Sequence, residues 1–78
     1  MKLSVALERY ETVAAQQGGV WVVVMPWQQP GTLMLQISYT EPDEYDLMMR
    51  AHRAPTLKNA EAWLERQGLS ADADWERG

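Results

Sequence analysis

His52 is the only histidine in the chain, and so the first side chain to test for acid–base work near neutral pH. A general acid or base needs a partner within hydrogen-bond reach. The acids nearest in sequence are Asp46 and Glu61, and neither stands three or four residues away, the spacing that joins side chains on a helix. His52 therefore reads as a boundary histidine near a helix C-terminus. Ser4, Ser38 and Ser70 lack the flanking glycines of a nucleophile elbow and any paired base. Gly18-Gly19 precedes a valine run, the reverse of the order a phosphate loop needs. The sequence assigns no catalytic residue and no cofactor, and we read it as not an enzyme.

Glu41, Asp43, Glu44 and Asp46 form the other chemical cluster. A calcium loop needs alternating oxygen ligands, a central glycine and a distal glutamate. "EPDEYD" has a proline, no glycine and the wrong order. With one histidine and no cysteine, the usual zinc sites are also excluded. These acids read as a solvated helix N-terminus and as a negative patch able to steer a basic protein surface toward the chain.

The elements that would position these groups follow from periodicity. Residues 4–17 are expected to be helical: Leu3, Leu7, Tyr10 and Ala14 make one apolar stripe, Ser4 is a candidate N-cap, and Gly18-Gly19 is a stop. Residues 20–26, "VWVVVMP", favour a strand because valine and tryptophan suit a pleated surface. Both faces of that strand are apolar, which predicts a central position or cover on both sides. Residues 32–39 alternate, with Leu33, Leu35, Ile37 and Tyr39 on one face, as in a half-buried antiparallel strand. Pro30-Gly31 is the turn signal between the two strands, which places Trp27 at a hairpin tip.

Residues 41–55 fit a helix, with acids early and Arg50, His52 and Arg53 late, matching the helix dipole. They also fit a third strand of a meander. A last helix runs from the Thr56 N-cap to Gly68 at C′, with Leu57, Ala60 and Leu64 on one face and Trp63 beside them. The predicted architecture is α+β: an α-β-β-α-α domain over residues 1–69 with an antiparallel hairpin packed on helices, the alternative being an α-β-β-β-α meander. Residues 70–78 are expected to be an acidic tail, mobile unless Trp75 docks.

Seventy-eight residues without cysteine leave core packing or association as the sources of stability. Met1-Lys2 opens an amphipathic pattern and not a signal-peptide core. The apolar run 20–27 is too short to span a bilayer, so a cytoplasmic protein with no membrane partner is expected. In residues 1–40, Lys2 and Arg9 balance Glu8 and Glu11, so the whole net charge of −4 falls in residues 41–78. Two helices meeting at "RAPTL" have helix-turn-helix spacing, yet that acidic half would repel a duplex, and direct nucleic-acid binding is disfavoured.

The four tryptophans divide into two kinds. Trp21 and Trp63 lie inside regular patterns and read as core. Trp27 and Trp75 lie where burial is not assured, and each is either folded back or held out for a partner. Trp75, among Asp72, Asp74 and Glu76, reads as a contact residue. The hairpin carries few of the charges that usually block edge pairing, so strand addition by a partner or a second copy is a further expectation.

In size, acidity and lack of catalytic residues, with "EPDEYD" and "DADWE" as local support, the chain resembles the small inhibitors that phages make against bacterial CRISPR systems. The resemblance implies a protein that occupies a basic nucleic-acid-binding surface. The expected role is a non-enzymatic protein-binding module, with Glu41, Asp43, Glu44, Asp46, Asp72, Asp74 and Glu76 as acidic contacts and Trp27 and Trp75 as apolar ones. The alternatives are a small homodimeric structural or regulatory accessory protein, or a DNA-binding regulator using residues 43–67.

Overall fold

The computed structural model describes residues 1–38 and 48–78, apart from the side chains of Met48 and Met49. The chain runs α1 (Leu3–Arg9), β1 (Val13–Gln17), β2 (Val20–Trp27), β3 (Gln29–Ser38), β4 (Met48–Ala54), α2 (Leu57–Arg66) and β5 (Glu76–Arg77). The strands form one sheet in the order β4-β3-β2-β1-β5, with every pairing antiparallel. The class is α+β, but the order α-β-β-β-β-α-β has more strands than either expected architecture.

The first correction concerns residues 10–17. The helix ends at Arg9, Tyr10 is extended, and Val13–Gln17 pairs with β2 in the register Val13↔Val24 to Gln17↔Val20. Thr12 and Val13 are β-branched and disfavour helix. Five residues of ladder against a valine-rich strand outweigh the helix preference of the alanines and glutamines. Gly18-Gly19 is thus a two-residue hairpin loop and not a helix stop. Gly18 alone of the pair has positive φ, at 61°, as the first central residue of a type II′ turn requires.

The second correction concerns residues 41–55, favoured above as helix. Residues 48–54 are a strand on β3, from Leu33↔Ala54 to Ile37↔Arg50. This is the third strand of the meander alternative. The basic sorting of Arg50, His52 and Arg53 also suits a strand that alternates Arg50, His52 and Ala54 on one face with Ala51 and Arg53 on the other. Glu41, Asp43, Glu44 and Asp46 lie outside the described residues. The helix pair proposed for DNA binding loses its first member over 48–54.

The β2–β3 hairpin turns more tightly than Pro30-Gly31 implied. Trp27 pairs with Gln29 around Gln28, whose φ is 52°, while Pro26 pairs with Leu33. Residues 30–32 therefore form an irregularity within β3.

Helix α2 is as expected. The Thr56 hydroxyl accepts from the Asn59 N–H at 3.2 Å. The Gly68 N–H donates to the Glu65 carbonyl and the Leu69 N–H to the Leu64 carbonyl, at 3.0 and 2.9 Å. With Gly68 at φ 77°, this closes a Schellman motif.

The core lies between one face of the sheet and both helices. Val13 and Ala15 of β1, Val22 and Val24 of β2, and Leu33, Leu35 and Ile37 of β3 meet Leu3 and Ala6 of α1 and Ala60, Trp63 and Leu64 of α2. Trp75 completes this cluster with no exposed surface. Its backbone N–H donates to the Met1 carbonyl at 2.8 Å and its indole N–H to the Ala71 carbonyl at 3.1 Å. The expected tail is therefore part of the body. Leu69, Ala71 and Ala73 pack on the core, and Glu76 and Arg77 pair with Ala14 and Val13.

Candidate interaction face

Strand pleating sorts β2 into two sets. Val22 and Val24 point to the helices and are fully buried, so Trp21, Val23, Met25 and Trp27 point the other way. Register extends this second face across the sheet. Val23 pairs with Ala14 and Gln36, Met25 with Met34, Trp21 with Gln16, and Met34 with Arg53. Both helices and Trp75 belong to the opposite layer, so no described helix covers this face. Trp21, Val23, Met25, Trp27 and Met34 are each half-buried. They form a continuous apolar stripe along the central strand and its neighbour. Gln16 and Gln36 lie within the face, and its charged side chains among the described residues are Arg53 on β4 and Glu76 on β5.

The indole N–H groups of Trp21 and Trp27 are buried without an acceptor among the described residues. A buried donor left unpaired costs about 1–3 kcal/mol.

The sequence-derived candidates are thus redistributed. Trp75 is core and cannot serve as an exposed contact. Trp21, expected in the core, lies half-buried on the face away from the described helices, and Trp27 joins it there. Asp72, Asp74 and Glu76 are exposed. The Asp74 carboxylate accepts from the N-terminal ammonium at 2.7 Å, while Arg77 lies over the Tyr10 ring at 5.9 Å. Trp27 is not brought to these acids: Glu76 sits two strands from β2, in the row of Val23, four residues along from Trp27.

Hairpin-edge pairing is also corrected, because β2 and β3 are flanked by β1 and β4. The outer edge of the sheet on that side belongs to β4, with Arg50 and Arg53.

His52 stacks on Trp63 with centroids 5.0 Å apart and planes 3° from parallel. It stands on a strand and not at a helix C-terminus, and its ring closes one side of the core. Arg50 beside it donates to the Gln67 side chain. An open groove of about 430 Å³ lies between α1, the hairpin end and the start of α2. Leu7, Leu33, Pro55 and Leu57 make it apolar, and Glu8 is its one carboxylate. No group of three or more His, Asp or Glu side chains among the described residues could hold a metal ion. No described helix is long and apolar enough to cross a membrane.

Val23, Met25 and Met34 did not stand out in the sequence as contact residues. The available signal was that both alternating sets of β2 are apolar, while only one can face the helices. Compared with known protein families, with curated proteins and with solved structures, the chain matches none.

Proposed function

We propose that the chain is a non-enzymatic protein-binding module whose apolar contact is the sheet face of Trp21, Val23, Met25, Trp27 and Met34, which no described helix covers. The observation that carries this reading is the second apolar set on the central strand, with both helices on the other side. Apolar faces of this kind in small domains mark contact sites, and tryptophan is a frequent anchor of binding energy.

Electrostatics adds direction. The described residues hold seven basic side chains (Lys2, Arg9, Arg50, Arg53, Lys58, Arg66, Arg77) and seven acidic ones (Glu8, Glu11, Glu61, Glu65, Asp72, Asp74, Glu76), which cancel. The net −4 of the chain is therefore that of Glu41, Asp43, Glu44 and Asp46. Such concentrated charge raises encounter rates with a basic protein surface. A phage inhibitor acting on a CRISPR nucleic-acid-processing protein is one specific form of this role, supported by the resemblance in size and acidity.

Capture from a bacterial lysate tests the reading with three baits: wild type, Val23→Arg, and a chain with Glu41, Asp43, Glu44 and Asp46 neutralised. Val23→Arg should lose the partners that wild type retains, and the neutralised chain should load more slowly at low salt. Identical capture by all three baits would refute the proposal.

A further inference from the structure

We infer that the occupant of this sheet face, which no described helix covers, is a second copy of this chain, packed sheet on sheet about a two-fold axis that runs parallel to the strands. The inference rests on the reading of this face as a contact surface, and it names the partner.

Three observations carry it. First, the stripe sits on β2, the middle strand of five. A two-fold axis along β2 sets the stripe of one copy against the same stripe of the other, an isologous contact. Second, the stripe is uncharged, so self-contact brings no like charges together at its centre.

Third, the two charges of the face have opposite signs and stand on opposite outer strands, Arg53 on β4 and Glu76 on β5. Rotation about an axis parallel to the strands lays β4 of one copy over β5 of the other. Each Arg53 then meets a Glu76, twice per dimer. Rotation about an axis across the strands would instead lay β4 over β4 and bring the two Arg53 side chains near each other. Charge thus selects the axis parallel to the strands; the strands of the two sheets are aligned in either case, a common geometry for stacked sheets.

Area sets the strength. Four strands about 4.8 Å apart and about seven residues long at about 3.3 Å each offer a face of about 19 by 23 Å. Two such faces remove on the order of 1,000 Å² from water, the lower bound for a specific interface. A contact of this size belongs with weak, transient association, and the inference sets its dissociation constant on the order of micromolar.

Sedimentation equilibrium on the full chain, from roughly 1 to 300 μM, tests the inference directly. Wild type should dimerise in this range. Arg53→Glu, at an exposed position and checked for folding by far-UV circular dichroism, should raise the dissociation constant at least about tenfold by facing like charges. Arg53→Glu combined with Glu76→Arg should restore it to within about threefold, because the pair is exchanged and not removed. Val23→Arg should abolish dimers, with far-UV circular dichroism checking that it remains folded.

A monomer throughout the range would overturn the inference. So would a dimer indifferent to Arg53→Glu, or a double variant no better than the single one. If wild type stays monomeric while Val23→Arg still loses lysate partners, the self-association fails and the binding-module reading stands. If Val23→Arg changes neither measurement, both fail.

Discussion

Trp75→Ala should remove most of the stability of the fold. The indole has no exposed surface and belongs to the same cluster as Leu3, Val13 and Leu64. Deleting a fully buried tryptophan costs about 3–5 kcal/mol from lost transfer energy and the cavity left behind. A domain of 78 residues has about 4–12 kcal/mol in total. The indole also holds the Ala71 carbonyl, and its backbone N–H holds the Met1 carbonyl, so collapse of the site would loosen both ends of the chain.

Urea denaturation followed by far-UV circular dichroism is the suitable assay, because removing a tryptophan alters the fluorescence baseline. The midpoint should fall sharply, and the melting temperature should drop by about 15–30 °C. Trp75→Phe keeps most of the apolar volume and loses the bond to Ala71, so its cost should be about 1–2 kcal/mol. A Trp75→Ala chain within about 1 kcal/mol of wild type would refute the packing argument and return residues 70–78 to the status of a tail.

Three smaller perturbations test the local structure. Gly18→Ala should cost about 1 kcal/mol in thermal or urea unfolding; a Cβ there meets nothing within 4 Å, so the cost is that of φ 61° alone, and Gly18→Asn should cost less. Thr56→Ala removes the cap on the Asn59 N–H and should cost about 1 kcal/mol, with amide exchange fastest in the first turn of α2. Gln17→Ala removes two hydrogen bonds to the Ser70 backbone, at 2.9 and 2.8 Å; about 1 kcal/mol is expected, with faster exchange at the Ser70 amide.

What was legible in the sequence follows from how local the determinants were. Helix α2 was readable because its cap, its apolar spacing and its Schellman glycine all lie within Thr56–Leu69. The strands β2 and β3 were readable from β-branched content and alternation. Residues 13–17 were not, because "VAAQQ" has no preference strong enough to resist a partner, and the partner is found only across the hairpin. The two-residue Gly18-Gly19 loop between alternating segments was a usable hairpin signal that a competing helical stripe obscured.

Trp75 was misread for a different reason. Its acidic neighbours mask the alternation Leu69, Ala71, Ala73, Trp75, a period of two whose small residues let a segment with a turn at Ala71-Asp72 lie close to the core. Ser70, Asp72 and Asp74 are the outward set of that same segment. An acidic tail and a buried strap are thus the two sides of one segment.

The partition of charge separates two jobs that an acidic binding protein might be thought to combine. The body, with its described charges in balance, carries the proposed contact face, whose contact energy would come from burying Trp, Val and Met. Such energy acts mainly on how long a complex lasts. On the proposed function, Glu41, Asp43, Glu44 and Asp46 would act at a distance, raising the rate of encounter with a basic surface and losing that effect as salt shortens the screening length. A single-sided core of two short helices on five strands gives modest stability, and a second layer over the open face would add to it by mass action. The residues that would attract a partner are therefore distinct from those that would hold one, and substitutions in either set should leave the other function in place.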